Sequence, residues 1–318
     1  MKTVIIDSET LGEGLDFSCL EKFGSVSVYT GIQPEKLPDV IKDAEIIIVN
    51  KIKLNESNLK YAKKLKLICE FATGYDNIDI EYCKMAGIAV TNVKGYSTYS
   101  VAQLTVTMAL HLVSHIPEYT RYVQSGEYTR SGVQNLLTPV YHELYGKTWG
   151  IVGLGNIGKQ VAKCAQSLGC NILAFKRTPT DEYTCTDIDT LCKKSDIISI
   201  HTPLTDETRG LISKQRIALM KNDAIVINVA RGAVADEQAL SDAIMQSKLG
   251  GIGIDVYSTE PFPSDHPYAK IASYDNVCLT PHMAWGAYEA RVRCLSEIVQ
   301  NIDSFMQDGL RNRIDIDK

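Results

Sequence analysis

The amino-acid sequence predicts an α/β protein with two domains, each built on a parallel β-sheet. Short β-rich runs alternate with amphipathic helical stretches, and this alternation occurs in two successive series. The chain has 318 residues, a length that accommodates two domains of ordinary size. Its 45% hydrophobic and 22% charged residues are typical of a globular protein.

The first series of β-rich runs predicts a smaller βα domain at residues 1–98. Its strands are expected at residues 3–6, 26–29, 45–49, 66–71 and 89–93, with helices at 56–64 and 80–86. The amphipathic stretch 288–306 is expected to form a helix that packs back on this domain. We therefore expect residues 286–318 to complete the first domain.

A long apolar stretch, residues 97–119, follows the first series and is interrupted only by Pro117. It predicts one helix that is apolar nearly all round and is therefore expected to be buried. A partner subunit is among the surfaces expected to cover it. Residues 124–147 are rich in Tyr, Gly and Ser and are expected to form a loop. Burial of these apolar surfaces favours a homodimer.

The second series predicts a doubly wound parallel sheet, a Rossmann domain at residues 99–285. Six strands are expected, at residues 149–153, 171–175, 197–201, 224–229, 251–256 and 276–280. The first strand leads into the glycine motif Gly153, Leu154, Gly155, Asn156, Ile157 and Gly158, and a helix follows it. In this context Gly153 makes a tight turn, Gly155 lets the backbone approach a pyrophosphate, and Gly158 packs the helix on the strand. The motif predicts dinucleotide binding, and a plain glycine-rich turn is the alternative.

Two cations stand near the place where an NAD site usually offers an acid to the ribose 2′-hydroxyl, about 20 residues after the glycines. The second strand runs into Lys176, Arg177 and Thr178. These side chains suit a 2′-phosphate, which a carboxylate would repel. We therefore expect NAD(P)H as cofactor with NADP favoured, and the alternative is that both cations point into solvent.

Three polar residues follow the ends of neighbouring predicted strands: Arg231, Glu260 and His282. Because the carboxyl ends of the strands line the ligand crevice of such a sheet, these residues should converge near the cofactor. A guanidinium can hold a substrate carboxylate with two charge-assisted hydrogen bonds. A histidine can donate a proton to a carbonyl oxygen that gains charge as hydride arrives, and a neighbouring carboxylate fixes its tautomer and favours its protonated form.

Five segments together carry a resemblance to the D-2-hydroxyacid dehydrogenase family. They are residues 228–232 (Asn-Val-Ala-Arg-Gly), 255–261 (Asp-Val-Tyr-Ser-Thr-Glu-Pro), 280–285 (Thr-Pro-His-Met-Ala-Trp), 72–79 (Ala-Thr-Gly-Tyr-Asp-Asn-Ile-Asp) and 201–204 (His-Thr-Pro-Leu). The resemblance implies a flavodoxin-like substrate domain hinged to the cofactor domain, which would close over the substrate. It also implies Arg231 as substrate anchor, His282 as acid/base with Glu260 as its partner, a product of D configuration, and a dimer.

The resemblance further implies which residues contact the ligands. Backbone N–H groups of Thr73, Gly74 and Tyr75 are expected to hold the substrate carboxylate. The residues expected near the nicotinamide half of the cofactor are Thr202, Pro203, Val229, Ala230, Arg231, Asp255, His282 and Ala284. Asp255 could instead be a turn cap, and Lys176 departs from the acid that many members of the family carry.

Within the family, Ala284-Trp285 after the histidine and Asn50-Lys51 after an N-terminal strand resemble the glycerate dehydrogenase (hydroxypyruvate reductase) branch. Lys51 could add a cation near the substrate, and Tyr75 with Trp285 could form a pocket wall. We expect hydroxypyruvate or glyoxylate as the oxo acid. Lactate-type or aryl-pyruvate reduction comes next, followed by phosphite oxidation and a non-enzymatic dinucleotide-sensing regulator. Formate oxidation is disfavoured by the acid at Glu260.

Charge and cysteine content limit the partners and the cellular compartment that the chain is expected to have. The formal net charge of −5 argues against nucleic acid or an anionic membrane as partner. Nine scattered cysteines suit reduced thiols in the cytoplasm, and residues 1–7 do not resemble a signal peptide. His111 and His115 lie four residues apart in an apolar stretch, with no third ligand nearby, so no metal site is expected.

Overall fold

The computed structural model describes residues 1–178 and 180–316. Asp317 and Lys318, at the end of the predicted 286–318 segment, lie outside the described residues. The chain divides into two compact units. The first unit comprises Met1–Ser97 and Trp285–Lys318, and the second comprises Thr98–Ala284.

The two units contain twelve strands and eleven α-helices within the described residues. The strands are β1 (Lys2–Ile5), β2 (Ser25–Val28), β3 (Ile46–Val49), β4 (Leu67–Glu70), β5 (Ala89–Thr91), β6 (Thr148–Val152), β7 (Asn171–Phe175), β8 (Thr184–Cys185), β9 (Ile197–Ile200), β10 (Ile225–Asn228), β11 (Gly251–Ile254) and β12 (Val277–Leu279). The helices are α1 (Leu37–Ile41), α2 (Glu56–Leu59), α3 (Ile80–Ala86), α4 (Thr98–Val113), α5 (Ile116–Gln124), α6 (Glu127–Ser131), α7 (Asn156–Ser167), α8 (Ile188–Lys194), α9 (Lys214–Leu219), α10 (Glu237–Met245) and α11 (Tyr288–Phe305).

The sheet of the first unit has five parallel strands in the order β2-β1-β3-β4-β5. This is the order of flavodoxin-like sheets, so the predicted fold class of the smaller sheet is confirmed. Every residue of β3 and β4 is buried, as expected for central parallel strands that are covered on both faces. The buried residues of β4 include one acid, Glu70.

Helix α11 belongs to the core of the first unit. Its buried residues recur at helical spacing and share a hydrophobic cluster with side chains of β1, β3 and β4. They are Ala290, Cys294, Leu295, Ile298 and Ile302. The amide of Asn301, also buried, donates to the carbonyl oxygen of Asn92 at 3.1 Å. The helix therefore packs on the sheet that the N-terminal residues form.

The sheet of the second unit has seven parallel strands in the order β12-β11-β10-β9-β6-β7-β8. Strand β6 lies between β9 and β7, so the chain order reverses there, as in a doubly wound Rossmann sheet. The predicted Rossmann fold class is confirmed, with one strand more than the sequence pattern indicated. The additional strand, β8, has two residues at the sheet edge, too short to produce a recognisable alternation.

The prediction of a single buried helix over residues 97–119 is wrong. The structure has two helices, α4 and α5, and His115 between them adopts a left-handed conformation with φ 51°. Pro117 lies in the first turn of α5, where its missing N–H costs nothing, whereas inside a continuous helix it would remove a hydrogen bond. Helix α4 buries seven residues, but none of the residues of α5 is buried. The predicted loop at 124–147 contains the short helix α6.

Candidate active site

Five neighbouring strands of the second unit end at the same edge of the sheet. Strands β6, β9, β10, β11 and β12 are parallel, and each is followed by candidate site residues. In order across the sheet, the glycine loop follows β6, Thr202 follows β9, Arg231 follows β10, Asp255 comes after β11, and His282 comes after β12. The edge contains the point where the strand order reverses, which is where open α/β sheets bind their ligands.

The glycine loop between β6 and α7 fits a dinucleotide phosphate. Gly153 has φ 97°, and a Cβ there would lie 2.8 Å from the backbone nitrogen of Thr202. A Cβ at Gly158 would lie 2.2 Å from the carbonyl oxygen of Gly153, so helix and strand pack at backbone contact. A Cβ at Gly155, in contrast, would meet no atom within 4 Å. The space at Gly155, together with the N–H groups of Asn156 and Ile157 in the first turn of α7, suits an anion.

The residues predicted to select between NAD and NADP follow β7 directly. Lys176 is half-buried, whereas Arg177 and Thr178 are exposed. The backbone N–H of Gly153 donates to the carbonyl oxygen of Phe175, the last residue of β7, at 2.9 Å. This bond places the start of the glycine loop beside the strand that leads into Lys176.

Thr202 and Pro203 follow β9, and their segment contacts the glycine loop through the Gly153 backbone described above. The hydroxyl of Thr208 donates to the carbonyl oxygen of Pro203 at 2.6 Å and closes the turn. Thr202 is half-buried and Pro203 is exposed. The turn therefore presents both residues at the edge where the other candidates lie.

The turn after β10 carries Val229, Ala230 and Arg231, and the side chain of Asn228 holds it. Its Oδ1 accepts from the backbone N–H of Ala230 at 3.1 Å, and its Nδ2 donates to the carbonyl oxygen of Arg231 at 2.9 Å. Nη1 of Arg231 donates to the carbonyl oxygen of Ala230 at 2.8 Å. Asn228, which our sequence analysis had not singled out, thus fixes the backbone from which the arginine projects.

His282 and Glu260 form a hydrogen-bonded pair. Nδ1 of His282 lies 2.6 Å from Oε2 of Glu260, and the two side chains are 23% and 31% exposed. Because an ionised carboxylate only accepts hydrogen bonds, the proton of this bond belongs to Nδ1. That assignment leaves Nε2 as the ring atom that can exchange a proton with another molecule. Partial exposure gives a small molecule access to the pair.

Asp255 is completely buried after β11 and organises the turn that carries His282. One carboxylate oxygen accepts from the Thr280 hydroxyl at 2.6 Å and from the N–H of Met283 at 2.8 Å. The other accepts from the N–H of Ala284 at 2.9 Å. Burial raises the pKa of Asp255, and these hydrogen bonds oppose the rise. All three bonds go to the turn, as the capping interpretation of Asp255 requires, and its contact with cofactor stays a prediction.

In the first unit, Lys51 lies in an exposed loop after β3 that the buried carboxylate of Asp7 organises. The backbone N–H groups of Asn50, Lys51 and Ile52 donate to it at 2.6 to 3.1 Å. Asp7 was not predicted as a site residue from the sequence. The available signal was an acid directly after the first strand, a position where a carboxylate can cap a neighbouring loop.

The other candidates of the first unit are Thr73, Gly74, Tyr75 and Trp285. The Thr73 hydroxyl donates to the carbonyl oxygen of Val93 at 2.6 Å. The backbone N–H groups of 73–75 are therefore the donors of this segment that are expected to hold the substrate carboxylate. Gly74 is half-buried and Tyr75 is 40% exposed. Trp285 packs edge-on against Tyr96, with ring centroids 6.3 Å apart. Trp285 is thus held by the core of the first unit.

A doubly wound sheet that carries a fitting glycine loop, with an acid–base pair at the same edge, is the structural class of the nicotinamide-dependent dehydrogenases. Comparison with known proteins agrees. Residues 106–284 match the family model "D-isomer specific 2-hydroxyacid dehydrogenase, NAD binding domain". The chain belongs to the D-isomer specific 2-hydroxyacid dehydrogenase family, NAD-dependent oxidoreductases that act on a CH–OH group.

Individual relatives cover most of the chain. It is 33% identical to a hydroxypyruvate reductase of Blautia hydrogenotrophica over 96% of this chain and 97% of that protein. It is 37% identical to a D-3-phosphoglycerate dehydrogenase of Methanocaldococcus jannaschii over 93% of this chain, and the match spans only 56% of that relative. The crystal structure of D-lactate dehydrogenase from Aquifex aeolicus, with NAD and lactic acid, is similar with a TM-score of 0.84 and 31% identity, covering 100% of both chains.

Proposed function

We propose that this protein reduces a small 2-oxo acid to the D-2-hydroxy acid, with hydroxypyruvate or glyoxylate as substrate. The observation that carries the proposal is the 2.6 Å pair of His282 and Glu260, at the sheet edge that also presents Arg231. The pair offers Nε2 of His282 for proton exchange, and the guanidinium can anchor a carboxylate. The B. hydrogenotrophica relative, named hydroxypyruvate reductase, supports the substrate class.

The proposed roles follow from the chemistry of each side chain. The glycine loop would hold a nicotinamide cofactor, which when bound would provide the hydride for the C2 carbonyl carbon. Arg231 binds the substrate carboxylate and draws electron density toward the carbonyl oxygen. Nε2 of His282 gives a proton to that oxygen, and Glu260 keeps the proton on Nδ1 so that the ring presents Nε2 correctly. The groups proposed to contact the substrate in the first unit are Lys51, the 73–75 backbone, Tyr75 and Trp285.

The remaining cofactor contacts are also proposals. Gly153, Gly155 and Gly158, with the first turn of α7, would hold the pyrophosphate. Residues proposed near the nicotinamide are Thr202, Pro203, Val229, Ala230, Arg231, Asp255, His282 and Ala284. Lys176, Arg177 and Thr178 are proposed to hold a 2′-phosphate and favour NADPH, because two cations stand where an acid would reject it.

We also propose a homodimer in the cytoplasm. Large apolar side chains between residues 116 and 145 are exposed in the single chain, among them Leu137 at 68% and Val140 at 67%. Exposed apolar clusters of this kind support contact with a second copy. All nine cysteines are free, which suits a reducing compartment. None of the described helices is both long and apolar enough to cross a membrane.

The test is a parallel assay of NADH and NADPH oxidation with hydroxypyruvate, glyoxylate, pyruvate and phenylpyruvate. We expect the highest kcat/KM with hydroxypyruvate or glyoxylate and NADPH, and a loss of turnover in His282→Ala with cofactor binding retained. Pyruvate as the best substrate would favour the D-lactate alternative, which the A. aeolicus structure makes the second candidate. Absence of reduction with every oxo acid would contradict the proposed function. It would favour the remaining alternatives, phosphite oxidation and a non-enzymatic dinucleotide-sensing regulator.

Lys176 can be tested in the same assay. Lys176→Asp places a carboxylate directly after β7, so we expect the preference for NADPH over NADH to fall by at least about tenfold, because a carboxylate repels the 2′-phosphate. Lys163→Asp, on the exposed side of α7, is the control for a change in net charge. Equal preferences in wild type and both variants would show that the cation does not select the cofactor.

A further inference from the structure

Tyr257, in the segment after β11, makes a contact near each of the three candidate catalytic residues. It bonds to Glu260 directly, to the turn that carries His282, and its backbone touches the residue that follows Arg231. Its backbone N–H donates to Oε1 of Glu260 at 2.9 Å. The other carboxylate oxygen of Glu260 is the one that pairs with His282. The N–H of Tyr257 thus fixes the rotation of the carboxylate, and with it the direction from which Glu260 meets the imidazole.

The phenol hydroxyl of Tyr257 acts on the backbone of His282. It donates to the carbonyl oxygen of Thr280 at 2.9 Å. The same carbonyl oxygen accepts the backbone N–H of His282 at 3.0 Å, closing a tight turn in which His282 has φ 53°. Burial raises the pKa of the Tyr257 hydroxyl, so it remains a donor across the physiological range. The hydroxyl therefore holds the carbonyl around which the left-handed His282 backbone is built.

The third contact reaches Arg231 through Gly232, the next residue. A Cβ on Gly232 would lie 2.1 Å from the carbonyl carbon of Tyr257 and 2.2 Å from the nitrogen of Ser258. The two backbones are therefore in direct contact, and only glycine fits between them. The start of the segment that follows Arg231 rests on the Tyr257–Ser258 peptide.

This peptide is itself anchored from behind. The backbone N–H of Ser258 donates to Oε1 of Glu237 at 2.9 Å, and its hydroxyl donates to Oε2 of the same carboxylate. Nε2 of His266 lies 3.2 Å from that Oε2, and the rings of Phe262 and His266 contact the ring of Tyr257. A peptide held at this many points can transmit a fixed geometry to the groups that it touches.

We propose that Tyr257 is a positioning residue for the reduction: its N–H orients Glu260 while its hydroxyl holds the turn of His282, so that one residue sets the geometry of the acid–base pair. The inference rests on the proposed function and adds to it a residue that acts through the pair and does not touch the substrate. If the hydroxyl only stabilised the fold, its removal would lower Tm but would leave kcat and KM unchanged.

The test variant is Tyr257→Phe, which keeps the ring and the backbone N–H and removes only the hydroxyl. For oxo-acid reduction we expect kcat to fall at least about tenfold, with KM for the oxo acid and the Kd of the cofactor unchanged within about twofold. Tyr274→Phe is the control, because it also removes only a phenol hydroxyl, at a side chain that is 43% exposed and outside the proposed site. The control should keep wild-type kcat.

Two further measurements separate positioning from folding. In a double-mutant cycle, Tyr257→Phe should reduce kcat less in a Glu260→Gln background than in wild type, because both changes act on the same pair. Amide hydrogen exchange, followed by mass spectrometry, should quicken in the peptide that contains residues 280–284 and remain unchanged elsewhere. This exchange measurement requires no turnover.

The outcomes distinguish the two proposals. If wild type reduces no oxo acid, the proposed function is wrong and the positioning role falls with it. If wild type is active and Tyr257→Phe matches Tyr274→Phe in kcat and in exchange at 280–284, the inference alone is overturned. Independent, multiplicative effects of Tyr257→Phe and Glu260→Gln would also overturn it.

Discussion

At the scale of single residues, His282 is in a conformation that its surroundings enforce. A left-handed backbone at a non-glycine residue costs on the order of 1–3 kcal/mol and persists only where neighbouring groups hold it. Here the buried Asp255 accepts N–H groups from the two residues that follow His282, and Thr280 accepts the N–H of His282 itself. The side chain is thereby held at the sheet edge where Glu260 meets it.

The charge of Glu260 can be tested by Glu260→Gln. The amide oxygen can still accept the Nδ1–H of His282, but the negative charge beside the imidazole is gone. We expect kcat/KM for oxo-acid reduction to fall roughly 100-fold, because Glu260 supports the group that exchanges the proton. Steady-state kinetics measure kcat/KM, with the exposed Glu35→Gln as control. Wild-type kcat/KM in Glu260→Gln would contradict the proposed role of the pair.

Glu70 provides a pH test of stability in the first unit. It is fully buried; Oε2 accepts from Nδ2 of Asn77 at 3.0 Å, and Oε1 has no partner among the described residues. Burial raises its pKa well above the ordinary value of 4.5. Because the folded state holds the proton more tightly than the unfolded state, the stability that Glu70 contributes is complete below about pH 4.5 and is lost as pH rises toward the folded pKa.

Glu70→Gln removes this titration and leaves the Asn77 contact in place. We therefore expect the Tm of the variant minus that of wild type to increase between pH 5 and pH 8, by roughly a few degrees. Thermal melts at half-unit pH intervals measure this difference, and Glu81→Gln, at an exposed position of α3, is the control. A difference that is constant with pH, or that grows on acidification, would mean that Glu70 is not held neutral.

At the scale of elements, the turn from β6 into α7 uses its glycines for different purposes. Gly158 is required for packing, because a side chain there would strike the carbonyl oxygen of Gly153. Gly155 has an ordinary φ of −85°, and the space where its side chain would stand contains no atom within 4 Å. That space is open, as the phosphate site proposed above requires.

Alanine at these two positions should separate binding from folding. We expect Gly155→Ala to keep the wild-type Tm while the Kd for NADPH rises at least about tenfold, because the new methyl group occupies the space near the pyrophosphate. Gly158→Ala should lose both stability and cofactor affinity, since its backbone contact cannot relax. Thermal melts and cofactor fluorescence titrations give the two quantities. Wild-type affinity in Gly155→Ala would place the phosphate elsewhere.

At the scale of the whole molecule, the segment from residue 116 to 145 is a part of the second unit with many exposed apolar side chains. None of the residues of α5 is buried, and several large apolar side chains beyond it are more than half exposed. In the first unit, by contrast, α11 covers the sheet with five apolar residues in one core cluster. An uncovered apolar segment of this size favours association with a second copy.

The proposed dimer can be tested by Leu137→Asp combined with Val140→Asp, because two buried charges in an apolar interface are costly. We expect wild type to have the mass of a dimer in light scattering after size-exclusion chromatography, and the double variant that of a monomer. Met85→Asp, at a residue that is 81% exposed in the first unit, is the control and should remain dimeric. A dimeric double variant would move the interface away from this segment, and a monomeric wild type would contradict the dimer itself.

Some properties of this protein could be determined from the sequence alone because they depend on local pattern. The alternation of apolar runs predicted both parallel sheets, and the spacing of Gly153, Gly155 and Gly158 predicted a nucleotide loop, since backbone conformation and period are properties of neighbouring residues. The same local reasoning failed at residues 97–119. Pro117 can either bend a helix or begin a new one, and only the packing of α4 in the core, with α5 outside it, decided between these.

The geometry of the candidate site, in contrast, was decided by the tertiary structure. Arg231, Glu260 and His282 could be named from their positions after strands, and Asp255 was named as a cofactor contact or a turn cap. The contacts that hold the catalytic candidates could not be assigned: Asn228 at the arginine turn, the bond of Asp255 with Thr280 at the histidine turn, and Tyr257 between the two turns. The bonds of Asp255 and of the Tyr257 hydroxyl join segments that are distant in sequence. They depend on which strands become neighbours, and no local pattern in the chain records that.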